Sequence, residues 1–288
     1  MIAAPRKVAC VEIGGVPIAL ATSDEGFLDL LRQRYDGFLS SSRPQFELEF
    51  DVTSMELASD DDVRVRREGD EWLLQRGDFH ARWDPRSGRG SVCQDANPYS
   101  LDSVLRIVHS LILAERGGFL LHSASAVCDG RAYLFSGVSG AGKTTMTRLA
   151  PADITLLTDE ISYVRPNDVR PSNARLSDRG YHAFGTPFSG ELAKAGENCA
   201  APISALFFLE QGPENRVDEL PSPDAVRRLM RNILFFAEDK GLVEKLFATA
   251  CDFVARVPIR RLTFYPDARV WDELRNFARY FQGVPEHA

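Results

Sequence analysis

Residues 137–144 read Gly-Val-Ser-Gly-Ala-Gly-Lys-Thr, which is the pattern G-x-x-x-x-G-K-[ST] of a phosphate-binding loop, the Walker A motif. Each residue type has a physical reason. Gly137, Gly140 and Gly142, with the small Ser139 and Ala141 between them, let the backbone wrap closely around a phosphate with its N–H groups turned inward. Lys143 is long enough to reach the outer phosphates of a nucleotide. The hydroxyl of Thr144 can ligate Mg²⁺, and Thr145 continues into a helix whose positive end faces the same anion. The pattern predicts nucleotide phosphate binding through residues 137–145.

A second chemical signal follows 16 residues after Lys143, where the apolar run Ile154–Thr158 ends in Asp159-Glu160. In proteins with a phosphate loop, a carboxylate at the end of such a strand holds the Mg²⁺ shell. Adjacent acids could divide the work, one polarising an attacking hydroxyl and the other holding the metal. Spacing does not say which does which, and acids in this position also serve simply to cap the next element.

The elements that must position these groups are legible from periodicity. Phe119–Val127 and Arg131–Ser136 read as strands joined by the turn Cys128-Asp129-Gly130, with the glycine loop and a helix after them. Ala205–Leu209 is a further apolar strand, and Arg261–Tyr265 another. Helices are predicted from Pro223 through Leu234, around Leu242, Leu246, Ala250 and Phe253, and from Val270 to Phe281. Strands alternating with helices imply an α/β core. The first hundred residues differ. Phe46, Leu48, Phe50 and Val52 alternate with Glu47, Glu49 and Asp51, and Val63–Arg66, Trp72–Arg76 and Phe79–Trp83 add short strands. One helix, about Glu25 to Tyr35, interrupts them. Asp60–Asp62 and Ser40–Ser42 read as solvated loops. The Gly-, Ser-, Asn- and Pro-rich stretch Asp84–Pro98 reads as a loop and sets the expected division, with a β-rich domain over 1–98 and the phosphate-loop domain over 99–288. A helix over Leu101–Ile112 opens the second part, with Ser100 as its N-cap and Gly117-Gly118 as its stop.

Composition narrows the function classes. The 288 residues are 44% hydrophobic and 26% charged, ordinary for a globular chain. A net charge of −7 argues against nucleic-acid binding, which needs a basic face. The five scattered cysteines (Cys10, Cys93, Cys128, Cys199, Cys251) form no CxxC pair, so neither a disulfide framework nor a zinc site is expected and a cytoplasmic setting fits. No apolar run approaches the ~20 residues of a membrane span, and no membrane partner is expected.

The stretch from Leu120 to Arg165, LLHSASAVCDGRAYLFSGVSGAGKTTMTRLA…ITLLTDEISYVR, resembles the catalytic core of HPr kinase/phosphorylase and its kinase-like relatives. That family has a histidine at the start of a strand pair, then the glycine loop, then a strand ending in two acids. The counterparts here are His122, Gly137–Thr144 and Asp159-Glu160, with 15 residues from His122 to Gly137. The strand Ala205–Glu210 is similar to the family's next core strand. The resemblance implies a fold akin to phosphoenolpyruvate carboxykinase, preceded here by a small β-rich α+β domain, and transfer of the ATP γ-phosphate to a serine hydroxyl of a protein or peptide. It implies Asp159 as catalytic base, Glu160 and Thr144 as Mg²⁺ ligands, and His122 beside the transferring phosphate. Two departures stand out. The second acid is Glu rather than Asp, and Tyr181–Glu191 stands where the family has an arginine-containing signature. The N-terminal part does not resemble the regulatory domain of true HPr kinases, and the chain looks more like stand-alone relatives associated with peptide modification, including lasso-peptide tailoring. Other acceptors remain open at this stage, namely a free amino acid or sugar, as does a nucleotide-binding regulator without turnover, and self-association into a homo-oligomer.

The glycines and Pro187 of the Phe184–Glu191 neighbourhood suggest a tight loop near the phosphates, with Glu191 as a catalytic accessory and His182 close by. One of Arg165, Arg170, Arg175 and Arg179 could clamp a γ-phosphate, although charge runs are usually solvated. His80, His109 and Cys128 fit structural positions, and His287 belongs to the tail.

Overall fold

Alternation shapes the third strand of the first sheet. Phe46, Leu48 and Phe50 are buried while Glu49 and Asp51 face outward along β3 (Phe46–Val52). The structure, a computed structural model, describes residues 5–54, 62–167, 180–190 and 195–281. Within it, β1 (Lys7–Ile13), β2 (Val16–Thr22), β3, β4 (Arg64–Glu68), β5 (Glu71–Arg76), β6 (Phe79–Asp84) and β7 (Arg89–Gln94) form a seven-stranded sheet in the order β1-β2-β3-β7-β6-β5-β4. β2 and β3 run parallel. The chain must therefore cross over between them, and α1 (Glu25–Arg34) makes that crossing. Asp24 caps it, accepting a 2.7 Å hydrogen bond from the Phe27 amide. Phe27 packs against Phe50 with ring centroids 5.5 Å apart.

This unit comprises residues 1–116 and 235–245 and therefore includes α2 (Pro98–Glu115), whereas the sequence placed the division after residue 98. Polar ties explain the difference. Asp102 on α2 accepts a 2.7 Å bond from the Tyr35 hydroxyl and an ion pair from Arg34, and the Ser100 hydroxyl donates to Asp78. Ser100 is thus committed to the interior, and Asn97 is the N-cap instead, accepting from the Tyr99 amide at 2.9 Å. The stretch 84–98 also departs from its expected loop, because β7 lies inside it and occupies the middle of the sheet. A Cβ at Gly90 would sit 2.7 Å from the Arg82 carbonyl oxygen and from Leu48 Cδ2, so the glycine marks close strand packing rather than a turn. Of the acid run, Asp60 and Asp61 lie outside the described residues.

The second unit comprises 117–234 and 246–288. Its strands are β8 (Phe119–Cys128), β9 (Arg131–Ser136), β10 (Thr155–Thr158), β11 (Ile161–Pro166), β12 (Tyr181–Phe184), β13 (Ala200–Gln211), β14 (Arg216–Glu219), β15 (Ile233–Leu234) and β16 (Ile259–Phe264). The long β8 has two sets of neighbours. Its first half pairs with β11, its second with β9 and β10. β11 pairs with β12, β12 with β13, and β13 with β9, which closes a small barrel-like ring. β9, β13 and β16 are mutually parallel. Helices α3 (Lys143–Arg148), α4 (Ser222–Asn232) and α6 (Val270–Phe281), with α5 (Lys240–Arg256) from residue 246 onward, complete a mixed α/β architecture. The core centres on Phe135, stacked on Phe207 at 6.0 Å and edge-on to Trp271 at 5.6 Å. The β8–β9 turn is as expected, with Asp129 and Gly130 both at positive φ. One reading changes. The helix from Pro223 ends at Asn232, and Ile233–Leu234 form β15 against Leu120 and Leu121 of β8. β12 ends at Phe184, and residues 185–190 after it are a loop, as the glycines and Pro187 predict. Among the described residues no helix is long and apolar enough to cross a membrane.

Candidate phosphate-binding site

The glycine loop lies where β9 ends and α3 begins. Gly140 has φ 77° and Gly142 φ 108°, conformations that L-residues rarely adopt. Space is as restrictive as torsion. A Cβ at Gly142 would lie 2.4 Å from Phe264 Cζ, and one at Gly137 would lie 2.8 Å from the Ala141 Cβ. Lys143 is buried, and its ammonium donates to the carbonyls of Gly137 at 3.0 Å and Val138 at 3.4 Å. The loop is thus braced by its own lysine. From outside, Gln211 Nε2 donates to the Gly140 carbonyl at 2.8 Å. Ser136 pairs with Phe208, so the loop leaves the sheet beside the last residues of β13 and β16, at the carboxyl ends of parallel strands where α/β proteins bind ligands.

The two acids sit in the turn between β10 and β11. Asp159 is buried, and its Oδ1 accepts a 2.9 Å bond from the Gly190 amide. Thr158 shapes the turn, its hydroxyl oxygen accepting from the amides of Glu160 and Ile161, both at 3.2 Å. Backbone bonds bring the predicted groups to one place. The Ser123 amide donates to the Glu160 carbonyl at 3.0 Å, and the Ser136 hydroxyl donates to the His122 carbonyl at 2.9 Å. His122 is therefore held between the start of the glycine loop and the acid turn. The segment after β12 reaches the same turn, where a Cβ at Gly190 would meet Glu160 Cβ at 3.0 Å.

A family model described as "SynChlorMet cassette protein ScmC" matches residues 91–278. The chain belongs to the ScmC family. The ScmC match spans His122, the glycine loop and the acid turn together. Among solved structures, the Hpr(Ser) kinase/phosphatase from Coxiella burnetii is similar over 58% of this chain and 99% of that chain, at 14% identity and a TM-score of 0.20. No curated protein matches the chain.

The oxygen donors Thr144, Asp159 and Glu160 suit a hard cation. Among the described residues, no group of three or more His, Cys, Asp or Glu gathers into a metal cage. Other predicted residues are placed as follows. Glu191, Arg170, Arg175, Arg179 and His287 lie outside the described residues. Arg165 is on β11 with its guanidinium over the Phe184 ring at 4.8 Å. His182 is on β12 at 6.4 Å from the same ring, and burial, with Arg165 and Arg131 adding to it, holds its pKa below the ordinary 6.5. His109 is buried in α2, and His80 is exposed on β6. Cys128 is buried, and its thiol pKa is raised chiefly by burial. Sequence reasoning missed Phe264, Gln211 and Ser136, whereas Gly190 belongs to the segment whose glycines pointed to a loop near the site. Ser136, directly before the loop, was within reach of a motif-based reading. Phe264 and Gln211 carry no local signal, because only the parallel pairing brings them to the loop.

Proposed function

We propose that this chain is an ATP- and Mg²⁺-dependent phosphotransferase that moves the γ-phosphate to a hydroxyl, with serine in a protein or peptide as the acceptor. The convergence of the Lys143 glycine loop, His122 and the Asp159–Glu160 turn at one end of the sheet carries this reading. In it, residues 137–145 cradle the phosphates and Lys143 exchanges its bonds to Gly137 and Val138 for phosphate oxygens. Thr144 and Glu160 hold Mg²⁺, which when bound neutralises charge on the phosphates. Asp159 accepts the acceptor's hydroxyl proton as the new O–P bond forms and ADP leaves with the electrons of the broken bond. His122, fixed through its backbone, stands by the transferring group. The likeness of residues 120–165 to the HPr kinase core supports the same assignment, and a cassette protein by family name suits a step in a multi-protein process. A cytoplasmic protein without nucleic-acid or membrane partners is part of this reading.

The test incubates purified protein with Mg²⁺, γ-labelled ATP and a lysate of its host, alongside Lys143→Ala and Asp159→Ala. Label in a protein or peptide, lost in both variants, is the expected result. Label in a small metabolite would replace the acceptor class. ATP binding without any transfer would point to a nucleotide-responsive regulator.

A further inference from the structure

The second unit presents an apolar groove that phosphate binding does not use. It lies between α4 and α5, is shallow and open to solvent with a volume of about 660 Å³, and is lined by Pro223, Val226, Met230, Phe247 and Cys251, with Arg227 and Arg231 at its edge. Ala225 and Leu229 bury the inner face of α4, and Leu246, Ala250 and Phe253 that of α5. Pro223, Val226 and Met230 recur at helical spacing on an adjoining face of α4. Phe247 is 53% exposed, and Cys251, one turn on, is exposed as well. A continuous apolar strip of this kind, bordered by charge, marks an interaction surface.

Charge selects the occupant. The chain carries a net −7, yet this edge bears Arg227 and Arg231. Arg227 pairs with exposed Asp224 at 3.0 Å, a surface contact of little strength that a partner carboxylate can replace. We propose that the α4–α5 groove docks an amphipathic helix of a partner protein whose apolar stripe is bordered by Asp and Glu, in the helix-in-groove mode. The groove is physically tied to the phosphate loop. Arg228, the next residue on α4, pairs with Glu210 at 3.0 Å. Glu210 follows Leu209, whose carbonyl oxygen lies 3.4 Å from where a Cβ of Gly137 would sit. α4 then runs into β15, which pairs with Leu120 and Leu121 directly ahead of His122. Docking here stands whether or not the loop transfers phosphate.

The probe is a fluorescein-labelled synthetic amphipathic peptide, about 14 residues long, with leucines at helical spacing and glutamates between them, and a twin in which lysine replaces each glutamate. Anisotropy titrations with the full chain are expected to show saturable binding of the glutamate peptide, weakening as salt rises. Arg227→Glu with Arg231→Glu, and separately Phe247→Ala, should each weaken it about tenfold or more while leaving the melting curve unchanged. Failure of the glutamate peptide to bind, equal binding of the lysine twin, or indifference to these substitutions overturns the proposal. A concentration-dependent dimer in sedimentation that Phe247→Asp dissolves also overturns it, because a second copy of the chain would then fill the groove.

Discussion

Replacing Gly142 by alanine tests how the phosphate loop is supported. At φ 108° an L-residue is strained, by about 1–2 kcal/mol if it costs as much as an ordinary left-handed position. The new Cβ would also stand 2.4 Å from Cζ and 3.0 Å from Cε1 of Phe264, a ring only 1% exposed and packed in the core with Trp271. Phe264 has no open side to move into, so overpacking adds roughly 1–3 kcal/mol. The sum is about 2–5 kcal/mol. Gly140→Ala is the matched control, because φ is again positive at 77° but nothing lies within 4 Å of its Cβ. It should therefore cost only the torsional part, about 1–2 kcal/mol. Guanidinium unfolding followed by tryptophan fluorescence gives both values. Phe264→Leu combined with Gly142→Ala should recover about 1 kcal/mol or more relative to the sum of the single changes. Equal costs at positions 140 and 142, or strict additivity with Phe264→Leu, would refute the argument that the ring supports the loop.

Further outcomes follow from other contacts. Lys143→Met should abolish binding of a fluorescent ATP analogue while the protein stays folded, since the lost bonds run to the loop's own carbonyls. Asp159→Asn should keep its bond from the Gly190 amide and retain nucleotide affinity, yet lower phosphoryl transfer by about 100-fold or more in a turnover assay. The pKa of His109 is pushed from 6.5 down to about 3 by burial and by nearby Arg116. Because the folded state resists its protonation, stability is complete above about pH 6.5 and falls as pH drops towards 3. His109→Leu should flatten that part of the urea-midpoint profile. Asp102→Ala should destabilise the first unit by roughly 3 kcal/mol, because it strands the buried Tyr35 hydroxyl and the Arg34 charge, and proteolytic susceptibility of that unit will report it.

The legible parts of this chain were those whose signal is local. The glycine loop is fixed by torsion and size at consecutive positions, and Phe46–Val52 by alternation against one buried face, so both stand where the pattern put them. β7 was hidden because Arg-Gly-Ser carries turn residues, while Gly90 is required by Leu48 and the Arg82 carbonyl on neighbouring strands. Ile233–Leu234 continued a helical pattern but found β8 as a partner, and pairing overrode spacing. Ser100 suited a cap by type, but Asp78 claimed its hydroxyl. At the site, His122, the acids and the segment holding Gly190 could be named from the chain, whereas Gln211 and Phe264 belong to it only through contacts between residues far apart in sequence.

The position of Phe264 bears on synthesis as well as on shape. The glycine loop is translated before the ring beneath Gly142, which arrives 264 − 142 = 122 residues later on β16. β9 likewise waits for β13 before it has a parallel neighbour. A nascent chain that has exposed residues 137–144 but still holds β16 inside the ribosome has the loop's sequence without its floor. The loop's native shape therefore waits for β16, because a chain arrested before residue 264 lacks the ring that Gly142 packs against.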